Sequence, residues 1–290
     1  MTTHFEHPEL LEHSIYEVAM DNLSVGLDPN KITLVQQSRI PSIGELTVFY
    51  SMLVSVNSLR HNPTIKTEAA NYGYNDMTYG FLGYPVSQSA DITFCKANLV
   101  PVGEDQKPHM EMTRKIVRRF NELYGETLVE PDMMLSDCPR LMGLDGNAKM
   151  GKSLGNAIYL SDPAEEVRKK VMSAVTDASR IKKDDPGHPD ICVVSKYHKV
   201  FNAGEYENIC ESCKKGAIGC VACKKALAAS LNDLLEPFRE KRAYYEAHRD
   251  EVRDIILTGS EKANKIGNET QLYNNPNGSR PESHRKPFTH

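Results

Sequence analysis

A helix that runs straight into a β-branched strand limits this chain's fold more than any other feature. Residues 8–27 set Leu10, Leu11, Ile15, Val18, Ala19 and Leu23 at helical spacing, with Gly26 placed to close the helix. Ile32-Thr33-Leu34-Val35-Gln36-Gln37 then reads as a buried strand. That order is the second half of a strand–helix–strand unit, which closes on a parallel sheet covered by helices, so an α/β domain is expected. The chain begins on the helix, and the strand and loop expected before it are absent.

The rest of the pattern extends this reading. A helix is expected around Ile43 to Leu59, ended by His61-Asn62-Pro63, because proline cannot continue a helix and restricts the residue before it. Residues 82–102 read as a short helix leading into a strand, Asn98 to Val102. A further helix, about Gln106 to Tyr124, turns Met110, Ile116, Val117 and Phe120 inward and Arg114, Lys115, Arg118 and Arg119 outward. That basic set reads as a solvated face, with phosphate contact as the other reading. Beyond residue 158 the character becomes all-α: a helical region from Pro163 to Ala174, a charged linker from Lys182 to Pro189, and long helices from Leu227 to Thr258. From Gln271 to His290 turn-forming residues replace apolar periodicity, so a disordered tail is expected. No internal repeat is present.

Composition narrows the functional classes. The 290 residues are 40% hydrophobic with a formal charge of −4, which suits a globular protein of one or two domains and excludes one that is basic all over. A local basic face for nucleic acid stays open. No apolar run approaches the ~20 residues of a membrane span, and no secretory pattern opens the chain, so a cytoplasmic location is expected. Seven cysteines in such a chain point to reduced or metal-bound thiols rather than a disulfide scaffold.

Two segments carry the candidate chemistry. Lys149-Met150-Gly151-Lys152-Ser153 brackets a small, flexible turn with two mobile ammonium groups, the means to follow negative charge as it builds on a phosphoryl group. Alone it is more often a solvated basic turn. At the end of the expected strand Asn98 to Val102, the chain turns through Gly103 into Glu104, Asp105 and Gln106. Ligands of parallel sheets bind beyond the carboxyl ends of the strands, where a glycine lets backbone amides approach a ribose or phosphate. The plain alternative is acids complementing a helix N-terminus.

Together these segments resemble class I aminoacyl-tRNA synthetases, and within them the tryptophanyl-tRNA synthetases. KMGKS is one residue from the KMSKS signature, and Pro101-Val102-Gly103-Glu104-Asp105-Gln106 followed by His109 is the tryptophanyl form. Leu141-Met142-Gly143-Leu144-Asp145-Gly146 is similar to the usual approach to the signature loop. Arg60-His61-Asn62-Pro63-Thr64-Ile65-Lys66 and the stretch holding Leu234, Glu236, Pro237, Arg239, Glu240 and Arg242 fit as well. The resemblance spans roughly residues 3–270.

It implies a Rossmann-like parallel sheet, incomplete for want of its first βα unit, followed by an all-α C-terminal domain. The expected division is a partial catalytic domain over 1–157, a helical anticodon-binding domain over 158–270 and the tail 271–290. It further implies activation of tryptophan by Mg·ATP to the adenylate and transfer to tRNA(Trp), with homodimerisation. By position, Asp91 accepts the indole N–H, and Gly103, Glu104, Asp105, Leu141, Lys149, Met150, Gly151, Lys152 and Ser153 contact ATP. Lys149 and Lys152 are the catalytic cations. An indole N–H only donates, so a carboxylate facing it rewards tryptophan and leaves an unpaired charge against phenylalanine. Without the resemblance, Asp91 could be a helix-capping acid. Gln88 departs from the apolar residue expected beside the indole, and Gly151 removes a hydroxyl from the signature and loosens the loop.

Cys210-x-x-Cys213 and Cys220-x-x-Cys223 have the spacing of a zinc site. The resemblance offers a [4Fe–4S] cluster instead, on Cys192, Cys213, Cys220 and Cys223, with Cys210 to spare. The cluster is the favoured reading, and its expected role is to shape the helical domain. Cys95 and Cys138 need only be core residues.

No HIGH-type tetrad is found, since His4, His7 and His13 lie on or just before the first helix. The expected reason is a missing βα unit, on the order of 30 or more residues with its following strand. Two readings follow: a tryptophan-charging enzyme whose sequence starts late, or a catalytically weak tRNA- or tryptophan-binding module. The first is preferred. On it the 290-residue chain is expected to exchange pyrophosphate poorly and, with sheet edge exposed, to be marginal or aggregation-prone.

Overall fold

The computed structural model describes residues 6–73, 76–135, 141–147, 150–151 and 154–274. Of the expected site residues, Lys149, Lys152 and Ser153 lie outside the described residues, as does Cys138. Two compact units divide the chain. The first draws on residues 6–19, 29–135 and 250–274 and the second on 20–28 and 141–249, apart from the undescribed positions. Neither coincides with the sequence division at 157.

The first helix, α1 (Glu9–Ser24), ends where expected, and Gly26 takes a left-handed φ of 104° just beyond it. The strand expected at 32–37 does not form. A strand needs a neighbouring edge, and this segment instead lies along a helix. The Gln36 backbone N–H donates to Ser260 Oγ (3.0 Å), the Leu34 carbonyl faces Gly259, and a 3-10 turn occupies Gln37–Arg39. The helix expected over 43–59 is two helices, α2 (Pro41–Ser51) and α3 (Val56–His61). Ser55 caps the second by accepting from the Ser58 N–H at 3.2 Å. Then α4 (Pro63–Tyr72), capped by Asn62, and α5 (Tyr79–Thr93) lead to β1 (Leu99–Val102).

From β1 the chain passes through a 3-10 turn at Glu104–Gln106 into α6 (Lys107–Tyr124) and returns to β2 (Asp132–Leu135). The two strands pair in parallel, Leu99 opposite Asp132 and Val102 opposite Leu135, which meets the α/β expectation on a small scale. The helix α11 (Arg249–Asn274) is assigned to this unit from residue 250 onward, and it carries helix through residues 271–274, where a tail was expected. The core gathers Ile43, Leu46 and Tyr50 of α2, Phe81, Val86 and Ala90 of α5 and Ile116, Val117 and Phe120 of α6. A hydroxyl seam threads it: Tyr50 Oη to Thr93 Oγ1 at 2.6 Å and Ser89 Oγ to Thr113 Oγ1 at 2.8 Å. The basic face of α6 is committed to acids, with Arg114 bonded to Glu111 and Asp132, Arg118 to Glu130 and Arg119 to Glu122.

The second unit contains α7 (Ala164–Ser173), α8 (Val193–Phe201), α9 (Ala203–Lys214) and α10 (Cys220–Ala247). Val167 and Val171 pack on Leu227, Leu231 and Leu235, with Val194 and Tyr197 completing the core. The Arg242 guanidinium, 7% exposed, is held by Asp21 and, at 3.0 Å, by Glu246.

Candidate functional site

In the first unit the expected pocket residues gather at the carboxyl end of β1 and on the facing side of α5. Asp91 sits in the last turn of α5, a turn without a basic residue. A carboxylate there opposes the helix dipole, so the capping explanation for Asp91 is ruled out. Burial lifts its pKa above the usual carboxylate range, against the lowering effect of a hydrogen bond from Gln37. That bond runs from Gln37 Nε2 to Asp91 Oδ1 at 2.7 Å. The second oxygen has no partner among the described residues. One turn earlier, Gln88 donates from Nε2 to Gln106 Oε1 at 3.1 Å, which ties α5 to the turn after β1.

Gly103 leaves β1 at the surface, where a Cβ would stand 2.8 Å from Asp105 Oδ1, an exposed carboxylate oxygen that can rotate aside. Glu104 is exposed and pairs with Lys107 at 3.0 Å. The Asp105 carbonyl accepts from Thr64 Oγ1 at 3.0 Å, so its carboxylate stays at the surface. The turn therefore presents two acids and open backbone beyond a parallel strand, an arrangement suited to ribose hydroxyls or a bound cation.

Beside it lies a half-buried relay. Tyr84 Oη donates to Glu68 Oε2 at 2.8 Å, because a carboxylate only accepts. Its oxygen then accepts from His109 Nε2 at 3.0 Å, leaving Nδ1 to face the Asn62 amide at 3.4 Å. His109 is 1% exposed, and burial holds its pKa below the ordinary value, so it is neutral. Asn62 also accepts from the Thr64 N–H at 2.9 Å. The cap signal of Asn before Pro is visible in the sequence, whereas the contact with a histidine 47 positions on is not.

In the second unit the approach to the lysine loop is built around Asn156, 4% exposed. Its amide nitrogen donates to Asp145 Oδ1 (3.0 Å), its side-chain oxygen accepts from the Gly151 N–H (3.0 Å), and its carbonyl accepts from the Leu144 N–H (2.9 Å). One residue thus binds both arms of the loop. Gly143 is required for it, because a Cβ there would lie 2.1 Å from Asn156 Nδ2. Hydrogen bonds, first from the Asn147 N–H, hold the Asp145 carboxyl below its usual range. Leu141 and Met150 are half-buried against the unit's core. Nothing in the sequence marked Asn156.

Four cysteines of this unit, Cys192, Cys213, Cys220 and Cys223, lie near one another. Arg180 Nη1 stands 3.8 Å from Cys213 Sγ and 3.9 Å from Cys220 Sγ. Burial and then the neighbouring Cys192, Cys213 and Cys220 push the Cys223 thiol up to about 12. Cys210 is buried beside Ser195 Oγ at 3.7 Å. Cys95, expected in the core, is exposed. Among the described residues no three or more His, Cys, Asp or Glu side chains are arranged to hold a metal ion.

Known proteins share this architecture. The family model for tRNA synthetases class I (W and Y) matches residues 1–236. A tryptophan–tRNA ligase of Streptococcus mutans is 47% identical over 279 residues, 93% of this chain and 82% of the relative. That of Streptococcus pyogenes serotype M1 is 48% identical over the same length and shares. Among solved structures, the tryptophanyl-tRNA synthetase of Campylobacter jejuni complexed with ADP and tryptophan superposes with a TM-score of 0.79 at 28% identity, over 93% of this chain and 84% of that one. The Mycoplasma pneumoniae enzyme gives 0.75 at 25% identity, over 92% and 82%. A family model over most of the chain and relatives at nearly half identity agree with the parallel strands, the acidic turn and the built loop: the chain belongs to the class I tRNA synthetases of the tryptophan and tyrosine family.

Proposed function

We propose that this chain is a tryptophan–tRNA ligase. The observation that carries the choice of amino acid is Asp91, a half-buried acid in a helix turn that does nothing to stabilise it, with one oxygen held and the other without a partner among the described residues. Its role is to accept the indole N–H. The residues assigned to ATP binding are Gly103, Glu104, Asp105, Leu141, Lys149, Met150, Gly151, Lys152 and Ser153.

In the first step the tryptophan carboxylate attacks the α-phosphorus of Mg·ATP. An oxygen–phosphorus bond forms, the bond to the β-phosphate breaks, and pyrophosphate leaves with its Mg2+. The nucleophile is already ionised and needs no general base. Lys149 and Lys152 neutralise the charge growing on the leaving group, so catalysis is positioning and electrostatics. In the second step a ribose hydroxyl of the terminal adenosine of tRNA(Trp) attacks the acyl carbon and AMP departs.

Cys192, Cys213, Cys220 and Cys223 suit a [4Fe–4S] cluster, with Zn2+ on Cys210, Cys213, Cys220 and Cys223 as the alternative. The donor set fits in chemistry. Cys223 feels Cys192 as well as Cys213 and Cys220, while Cys210 is engaged by Ser195. Bound there, the group supplies metal–sulfur bonds that clamp α8, α9 and α10, a structural part in the anticodon-binding region. Elemental analysis of protein purified without air separates iron and sulfide from zinc. A cytoplasmic homodimer is the expected working form, and no helix among the described residues is long and apolar enough to cross a membrane.

The chain contains no tryptophan, so the change in the ligand's indole fluorescence on binding can be followed without emission from protein indoles. Titration should show saturable tryptophan binding that Asp91→Ala weakens. Tryptophan-dependent pyrophosphate exchange should fall with Lys149→Ala and Lys152→Ala. Equal binding of tyrosine and tryptophan would sink this assignment.

A further inference from the structure

We propose that Gln37 is a positioning residue for amino-acid selection, holding the Asp91 carboxylate with one oxygen occupied and the other presented to the indole N–H. The inference rests on the reading of Asp91 as the indole acceptor. Asp91 has little else to hold it. It lies at the negative end of α5 with no basic residue in the turn, and burial opposes its charge. Against both stands, among the described residues, one hydrogen bond, from Gln37 Nε2 to Oδ1 at 2.7 Å. Because a carboxylate accepts only, the amide nitrogen must face it, and this sets which way round the Gln37 amide lies.

Gln37 is itself placed from the far side. The preceding residue donates its backbone N–H to Ser260 Oγ at 3.0 Å, and the Leu34 carbonyl sits on α11 where Gly259 leaves a gap no Cβ could share. Gln36 Oε1 accepts from Arg39 Nε at 3.1 Å, which braces the turn that Gln37 begins. The chain that failed to become a strand is thus pinned along a helix, and its last residue delivers an amide to the selecting carboxylate. Such a bond costs nothing at the moment of binding, since the acceptor is already aimed.

The test compares tryptophan with benzothienylalanine, which has the same shape but sulfur where the indole N–H stands. Tryptophan is followed by its own fluorescence and the analogue by competition. In the unsubstituted chain tryptophan should bind more tightly. Gln37→Leu should cut that preference about tenfold, the weight of a hydrogen bond to a charged group, with the analogue's affinity within roughly twofold and the melting midpoint kept. Gln37→Glu, which sets a second carboxylate against Asp91, should cut it at least as far. If Gln37→Leu weakens both ligands equally, or neither, Gln37 has no positioning role. Asp91→Ala separates the two readings. Should it leave the preference intact, or should the unsubstituted chain bind no tryptophan, the assignment of Asp91 falls and Gln37 with it. Should it abolish the preference while Gln37→Leu does not, only the proposal for Gln37 falls.

Discussion

Replacing Gly259 by alanine probes how far the position of residues 34–37 depends on helix α11. A Cβ at 259 would stand 2.0 Å from the Leu34 carbonyl oxygen and 3.0 Å from its carbon, where ordinary contact begins at 3.4 Å. The shortfall falls on backbone, which cannot rotate aside as a long side chain would. Overpacking of this kind costs about 1–3 kcal/mol. Alanine gains about 1 kcal/mol over glycine within a helix, so the net loss is about 0–2 kcal/mol. Gly44, inside α2 of the same unit, makes an internal control because nothing lies within 4 Å of its missing Cβ. Gly44→Ala is the same chemical change without the clash and should stabilise by up to about 1 kcal/mol. The difference between the variants isolates the clash at about 1–3 kcal/mol, or roughly 2–12 °C in melting midpoint at this domain size. Thermal melts followed by circular dichroism measure it, and tryptophan titration adds a second readout, since only Gly259→Ala shifts the segment carrying Gln37. If Gly259→Ala melts at or above Gly44→Ala, the close approach of Leu34 to α11 is refuted.

Other outcomes follow from the same geometry. The folded pKa of Asp91 is raised, so its ionisation costs stability as pH rises through that value and the cost vanishes in acid. Asp91→Asn should therefore be more stable than the unsubstituted chain near neutral pH, with the gain shrinking toward pH ~4, while tryptophan preference is lost. His109 is shifted the other way, below the ordinary histidine value, so its burial favours folding above pH ~6.5 and disfavours it as pH falls through that region. Denaturation midpoints of His109→Gln should lose that slope. Gly143→Ala should destabilise the second unit by about 1–3 kcal/mol, because its Cβ meets Asn156 Nδ2 at 2.1 Å. Limited proteolysis near residues 148–153 should accelerate with it. Tyr84→Phe leaves Glu68 and His109 without their shared hydroxyl and should cost about 1–3 kcal/mol in urea unfolding.

Much of the fold was legible in local pattern. The apolar stripe of Met110, Ile116, Val117 and Phe120 and the Gly26 stop were read correctly because both follow from spacing and from glycine's tolerance of positive φ. The break between α2 and α3 was missed because apolar residues continue across it, and only the Ser55 cap marks the restart. The strand at 32–37 was misread for a deeper reason. A β-branched run states a preference, but a strand exists only where another edge accepts its hydrogen bonds, and here Ser260 and the face of α11 take the chain instead.

By itself the sequence determined the family and the acidic turn after β1, and it singled out Asp91 and the thiols as candidates, because these are short strings whose chemistry travels with the residues. Tertiary structure alone decided what surrounds each of them. It set Gln37 against a carboxylate 54 positions away, assigned the chain from residue 250 onward to the unit that holds that carboxylate, and placed Asn156 at the centre of the loop. Each of these is a contact between residues distant in sequence, fixed by packing and by where a missing Cβ leaves room, and no local spacing encodes it.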